Sequence, residues 1–372
     1  MKSVGARAAS SARGRRSGRE EVNVRMMSGG LLGGAVALAL CGCLANDAAQ
    51  RPPSDAGVPK LERLAFRPYL GDRWIGNGIS YGPHRDGQAP GGPGPTRAQL
   101  REDLEILRRH WSLIRMYAVG DEAEAVLELI RAERLPLRVI LGAWIATEAR
   151  LADGGIMLEE YPEARRANQQ QVATLIRLAN TYSDLVPAVT VGNETQVFWS
   201  AHKVPTDTLI RYIRTVRAAT RVPVSTADDF NYWNKPESRI VAREVDFIMT
   251  HIYAMWAGQP LDRALPFTQE KYAEVQAQHP DHVVVLGEAG WATRKHNEGE
   301  QARLIQGVAG EEEQRIFYTQ FVAWTTRQRI ANCYFEAFDE NWKGGPHPDE
   351  VEKHWGLYRA DRTPKRALQP AP

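Results

Sequence analysis

The chain has 372 residues, 43% of them hydrophobic and 25% charged, an ordinary globular composition. Lys and Arg number 47 against 45 Asp and Glu, which argues against a strongly basic nucleic-acid-binding domain. Ten Trp, twelve Tyr and nine Phe exclude disorder over the whole length, and three Cys exclude a disulfide framework or a Cys-rich zinc module.

The small net charge of +2 hides an uneven distribution. Lys2, Arg7, Arg13, Arg15, Arg16, Arg19 and Arg25 face only Glu20 and Glu21 in the first 43 residues. The leader therefore carries +5 and the remainder −3. Behind it come the apolar run Leu31–Leu40 and then Cys41-Gly42-Cys43. A basic segment followed by a short apolar one reads as an export signal, and it falls short of the ~20 residues of a spanning helix. Leu40-Cys41-Gly42-Cys43 resembles a bacterial lipobox, with Cys43 as the lipidated residue. A cleaved signal or a short type II anchor are the alternatives. Met26 and Met27 offer later starts that would remove Arg25 from the basic segment. The organisation expected is a signal and lipobox region over 1–43, a Pro-containing tether over 44–60 and a single domain over 61–372. That implies an exported protein anchored to a bacterial membrane, with Cys333 as the one thiol left in the body.

In the body, short apolar runs alternate with longer amphipathic segments. The predicted strands are Trp74–Ser80, Ser112–Ala118, Leu137–Trp144, Pro187–Asn193, Val222–Thr226, Asp246–Ile252, His282–Gly287 and Asn332–Phe338. The predicted helices are Arg97–His110, Ala123–Glu133, Arg165–Ser183, Thr206–Thr220, Glu237–Glu244, Phe267–Gln278 and Glu311–Arg327. Continuous apolar strands separated by helices call for a parallel sheet covered by helices. Eight units of about 37 residues fit an α/β fold of the (β/α)8 TIM-barrel type. A doubly wound open sheet is the rival, but Gly76-Asn77-Gly78 lacks the continuation of a dinucleotide-binding turn. Gly155-Ile156-Met157 reads as core or loop without chemistry.

A (β/α)8 barrel does its chemistry where its strands end. Strand four ends Val191-Gly192-Asn193-Glu194, and strand seven ends Leu286-Gly287-Glu288-Ala289-Gly290-Trp291. A carboxylate directly after an apolar strand is costly to bury without a partner or a task. Two at one barrel mouth suit glycoside hydrolysis, which needs one protonated and one ionised carboxyl. The charge on one raises the pKa of the other. Trp144, Trp199, Trp233, Trp256, Trp291 and Trp342 all follow strand ends, and flat indoles beside carboxylates suit the apolar faces of sugar rings.

Further motifs follow the same order. Gly78-Ile79-Ser80-Tyr81-Gly82, Val191-Gly192-Asn193-Glu194, Gly287-Glu288-Ala289-Gly290-Trp291, Phe338-Asp339-Glu340-Asn341-Trp342-Lys343 and Glu352-Lys353-His354-Trp355-Gly356-Leu357-Tyr358 span most of the body. Together they resemble the family 17 glycoside hydrolases, the β-1,3-glucanases, from about Trp74 to Leu368. The resemblance implies a retaining β-1,3-glucan hydrolase with Glu194 as acid/base and Glu288 as nucleophile. It also implies substrate-side roles for Tyr81, Asn193, Tyr253, Glu340, Lys343 and Glu352, with Asn193 on a sugar 2-hydroxyl. Trp256 and Trp291 join them as strand-end aromatics, and Tyr253, just past strand six, can reach and orient Glu288. The partner implied is a β-glucan oligo- or polysaccharide, with no nucleic acid, and the default assembly is a monomer. No cofactor is called for, and no clustered His/Cys set or HExxH suggests a catalytic metal.

Departures from the family pattern carry their own expectations. The long Gly- and Pro-rich stretch after strand one, with His84, is expected either to narrow one end of the cleft or to form a loose rim. Asp228-Asp229, Asn231 and Trp233 are expected to touch substrate. A glucanosyltransferase using the same two Glu, another barrel with Glu after strands four and seven such as a cellulase or mannanase, and an anchored glucan-binding protein with little turnover are the competing readings.

Overall fold

A computed structural model of the chain describes residues 62–151 and 157–369. The leader, Cys43 and the tether expected over 44–60 lie outside the described residues.

Eight parallel strands close into a barrel: β1 (Asn77–Ser80), β2 (Leu113–Met116), β3 (Arg138–Ala143), β4 (Val189–Asn193), β5 (Val224–Asp229), β6 (Ile248–His251), β7 (Val284–Glu288) and β8 (Asn332–Tyr334). Each pairs with its neighbour in sequence, and β8 closes on β1 with Asn332 opposite Asn77. This is the (β/α)8 barrel that the alternation of segments predicts. Closure removes every strand edge, so near-continuous apolar strands can be buried on both faces.

The helices wrap the barrel: α1 (Arg97–Leu107), α2 (Asp121–Glu133), α3 (Pro162–Thr181), α4 (Thr206–Ala219), α5 (Phe230–Trp233), α6 (Arg239–Ala242), α7 (Leu261–Gln278), α8 (Gly299–Leu304) and α9 (Glu311–Gln328). Their ends follow local chemistry. Thr96 and Gln99 form a reciprocal capping box that starts α1. Three Glu fill the first turn of α9, where a carboxylate meets the positive end of the helix. The apolar sides of the helices pack on the strands, and the hydrophobic core runs between them. Inside the barrel a second cluster built on Leu113, Ile140, Phe247, Met249 and Val285 is capped below by Phe66, stacked on Phe247 at 4.9 Å.

Three local expectations change. Helix α7 begins at Leu261 rather than Phe267, because Pro266 sits within the helix near its start and removes a single backbone donor there. The helix expected over Glu237–Glu244 is a 3-10 turn at Pro236–Ser238 followed by the short α6, with α5 a separate turn before them. Pro236 fixes its own φ and disfavours helical backbone at Lys235. Met157, in a stretch expected as core or loop, begins a strand, Met157–Glu160, that pairs antiparallel with Ala149–Leu151 after β3.

Candidate active site

The mouth of the barrel is built around Glu194 and Glu288. Glu288 ends β7, and Glu194 follows β4 with φ +50°, a backbone region uncommon for a residue with a β-carbon. Both strands depart from regular register here: β6 shifts against β7 between Thr250 and His251, and β4 against β5 between Thr190 and Asn193. Such irregularities re-aim side chains. The shift sets His251 opposite Glu288. Gly287 permits that approach, since a β-carbon there would stand 2.5 Å from the Met249 side chain and 3.0 Å from the His251 ring.

Glu288 is nearly buried, at 6% side-chain exposure, while Glu194 keeps 18%. The Arg115 guanidinium at the end of β2 fixes the centre. Its Nη1 donates to Glu288 Oε1 at 2.9 Å and to the Gly287 carbonyl at 3.0 Å, and its Nη2 donates to Asn193 Oδ1 at 2.6 Å. The Tyr253 hydroxyl donates to Glu288 Oε2 at 2.5 Å. His251 stands between the carboxyls, with Nδ1 2.8 Å from Glu194 Oε1 and Nε2 3.3 Å from Glu288 Oε1. A carboxylate oxygen from each Glu and a His251 ring nitrogen all lie within 4.8 Å of one another. Among the described residues this is the one Asp/Glu/His/Cys cluster with metal-ligand spacing, and Arg115 already supplies a fixed cation to it.

The two carboxyls are driven apart in acidity. Burial raises Glu194 well above the usual carboxylate range, and the charges of Glu288 and Glu352 add to that. Burial pushes Glu288 the same way but is outweighed, so its pKa falls below the ordinary value. Burial holds His251 down at about 4, so its ring is uncharged near neutral pH. The charge of Arg115 and the Tyr253 hydrogen bond then keep Glu288 ionised. One proton donor and one carboxylate side by side can protonate a leaving oxygen while attacking the carbon that loses it.

A second group of charges sits at the end of β8. Lys343 Nζ lies 2.6 Å from Glu336 Oε2 and 2.7 Å from Glu340 Oε2. Glu340 also accepts from Trp342 Nε1 at 2.9 Å, and His84 Nδ1 lies 3.6 Å away. Burial alone would raise Glu340, but Lys343, His84 and Trp342 bring it down to about 2. Glu336, buried and without those extra donors, is raised well above the usual range. Glu352 is raised to about 7 by burial, although Trp256 Nε1 donates to it at 3.1 Å.

The structure thus gathers Asn193, Glu194, Tyr253 and Glu288 at one centre and places Trp256, Glu340, Lys343 and Glu352 in the charged wall beside it. It does not bring two other expected residues to an accessible surface. Tyr81 is buried, its hydroxyl donating to Asp103 at 3.1 Å, and Asp103 is held in turn by Arg85 and Arg362. Trp291 is fully buried against Phe317, its indole donating to the Val308 carbonyl. Trp233 is likewise in the core. Asp228 and Asp229 are spent on holding backbone, Asp228 on the neighbouring loop after β4 and Asp229 on its own. Asp228 accepts the backbone N–H of Gln196 and Val197, and Asp229 caps α5.

Sequence reasoning missed Arg115, His251 and Glu336. Each signal was present: an Arg in an apolar strand, a His two residues before the expected Tyr, and a Glu inside the last strand run. Phe198 was also missed. It is 68% exposed beside Trp199 at 49%, just after the Glu194 turn.

The sequence model of the BtgE/BtgC glycoside hydrolase domain family matches residues 78–356. A glucan 1,3-beta-glucosidase of Arthroderma benhamiae is 26% identical over 290 residues, covering 74% of this chain and 86% of that protein. The glucan 1,3-beta-glucosidase of Schizosaccharomyces pombe is 29% identical over 280 residues, covering 72% and 79%. Among solved structures, a Formosa endo-laminarinase superposes with a TM-score of 0.67 at 24% identity, covering 79% of this chain and 86% of that one. A glycoside hydrolase family 17 β-1,3-glucanosyltransferase of Rhizomucor miehei gives 0.62 at 24% identity, covering 78% and 96%. These structural likenesses establish the barrel fold. With three quarters of its length matched by the family model, the chain belongs to the BtgE/BtgC glycoside hydrolase domain family.

Proposed function

We propose that the protein is a retaining β-1,3-glucan hydrolase working by double displacement. The observation that carries this reading is the placement of Glu194 and Glu288, with oxygens within 4.8 Å and opposite tendencies to hold a proton. Retaining glycosidases set their carboxyls about 5–5.5 Å apart, whereas inverting ones leave about 6.5–9.5 Å for a water. The β-1,3 linkage is supported by the names of the relatives at 26% and 29% identity.

In this mechanism the Glu288 carboxylate attacks the anomeric carbon. The glycosidic C–O bond breaks, and Glu194 gives its proton to the departing oxygen. Glu288 is then esterified, and the negative charge it lent to the centre is gone. Glu194, now ionised, takes a proton from water as the water oxygen attacks the same carbon and frees Glu288. His251 Nδ1 holds the Glu194 carboxyl through both halves, and as a neutral ring it adds no net charge. The Asn193 amide oxygen is committed to Arg115, which leaves its NH2 to donate to a hydroxyl of the attacked sugar. Trp199 and Phe198 offer apolar faces next to Glu194, where the departing sugar lies. We further propose, from the leader sequence, that the protein is exported and anchored through Cys43.

Product analysis on end-labelled β-1,3-gluco-oligosaccharides tests the reading, with Glu288→Ala beside the parent. Shorter products from the parent and none from the variant support hydrolysis. Products longer than the substrate replace hydrolysis by transfer. Unchanged oligosaccharides with both proteins would remove β-1,3-glucan as the substrate.

A further inference from the structure

A cavity of about 890 Å³ opens at the opposite end of the barrel from Glu194 and Glu288. Its wall includes Val284 at the start of β7 and Ala331 just before β8. Glu288 lies four residues further along β7, about 13 Å away at the rise of a strand. The cavity is therefore no extension of the catalytic mouth.

Its construction is specific. Before β1 the chain makes a short hairpin, Tyr69–Leu70 with Arg73–Trp74, turning at Gly71 with φ +59°. Tyr69 and Trp74 are directly opposite each other in register. Cross-strand partners project from the same face, and both side chains line the cavity wall. Leu70, on the other face, packs against the inner barrel cluster. The hairpin thus uses Leu70 for folding and turns its aromatic side to the cavity, with Tyr69 41% exposed and Trp74 half-buried. A β-carbon at Gly76 would stand 2.2 Å from the Trp74 ring, so that glycine lets the indole fold back into its place.

The facing wall carries two more rings, Tyr272 of α7 and Trp324 of α9, packed edge to face at 5.7 Å. Between the walls lie the side-chain amides of Gln269, Gln276 and Gln328, which hydrogen-bond to none of the described residues. Flat aromatic faces with free amide donors and acceptors match the two kinds of surface on a pyranose, apolar C–H faces and a rim of hydroxyls. The volume is in the range of pockets that enclose small ligands.

We propose that this cavity is a second, non-catalytic carbohydrate site that holds a β-glucan chain against Tyr69 and Trp74. The ligand class rests on the functional reading given above. The cavity's role is to keep the enzyme on a polymer while the other end of the barrel cleaves.

The test uses the full chain with Tyr69→Ala and, separately, Gln276→Ala. Both positions are exposed, and thermal melts confirm folding. Retention on insoluble β-1,3-glucan particles is measured in parallel with hydrolysis of soluble laminaritriose. The expected result is roughly fivefold weaker retention for Tyr69→Ala, the effect of losing one aromatic contact. A smaller loss is expected for Gln276→Ala, with kcat/KM on laminaritriose within about twofold of the parent in both. Parent-like retention by both variants, or no retention by the parent, overturns the site. Absence of laminaritriose hydrolysis by the parent would instead strike the functional reading. In that event Tyr69-dependent retention on the glucan still supports the site.

Discussion

Two regions of the barrel mouth crowd carboxylates together, and they resolve the crowding differently. At β4, β6 and β7, Glu194 and Glu288 share one fixed cation, Arg115, and an uncharged His251. At β8 and the loop after β1, Glu336 and Glu340 share Lys343, and His84 adds a second cation, since its pKa is raised to about 9. Burial opposes that rise at His84, but Glu122 and Glu340 outweigh it. In each region one carboxyl is driven up and the other down. The difference is access. The raised carboxyl of the first pair is 18% exposed, while that of the second, Glu336, is 1% exposed beneath Lys343. A held proton does chemistry only where a substrate can reach it. The second region is a positioned wall of fixed charge, and the first is, on the function proposed above, the reacting pair.

Substitutions at the reacting pair sharpen this contrast most. Glu288→Gln should lower kcat/KM on β-1,3-gluco-oligosaccharides by on the order of 10⁴-fold or more, as loss of a nucleophile does. Glu194→Gln should cost roughly 10²–10⁴-fold, the range for a proton donor. Glu336→Gln alters only a buried carboxyl beneath Lys343 that substrate does not reach, and should leave activity within about tenfold. A collapse with Glu336→Gln equal to that of Glu194→Gln would erase the distinction drawn here.

Tyr253→Phe comes next. It removes a hydrogen bond that favours the ionised form of Glu288, so the nucleophile's pKa should rise. The acid limb of the kcat/KM profile should move to higher pH, with roughly tenfold lost on the acid side. A profile that falls uniformly at all pH values would assign Tyr253 another role.

His84 tests the wall by stability rather than rate. Its folded pKa, about 9, lies above its ordinary value of 6.5, so its ion pairs stabilise the fold fully below about pH 6.5. That contribution is lost as pH rises through about 9. The gap in Tm between the parent and His84→Gln should be widest below pH 6.5 and close by about pH 9. A gap independent of pH would mean His84 acts by packing on Trp342 alone.

The smallest effect is expected at Trp199→Ala. Losing an exposed ring on the leaving-group side should raise KM for long oligosaccharides about threefold and spare the shortest ones. Equal changes for every chain length would place Trp199 outside the cleft.

The barrel was legible because closed parallel strands must be apolar on both faces, and each is set off by an amphipathic helix. Glu194 and Glu288 were legible because a carboxylate has few reasons to end an apolar strand. Their neighbours were harder to read. Arg115 sits in a run that reads simply as strand, and its reach to both Glu288 and Asn193 depends on which strands the barrel places across from β2. The register shift that turns His251 toward Glu288 has no sequence signature. Aromatics misled in the other direction. Trp233 and Trp291 follow strand ends as Trp256 does, but their indole N–H groups find backbone carbonyls and the rings fill the core. Position along the chain fixes the end of the barrel and leaves open which way the side chain turns. Tyr81 shows the same limit: its hydroxyl meets Asp103 of α1, a residue 22 positions away.

The central claim is that Glu288 attacks carbon and Glu194 manages the proton. The most direct test is proton NMR of a laminari-oligosaccharide during its first minutes of cleavage by the parent protein. The account requires the new reducing end to appear first as the β-anomer, with the α-anomer growing in only by mutarotation. If the α-anomer forms first, the bond is broken with inversion, and the covalent role of Glu288 is wrong.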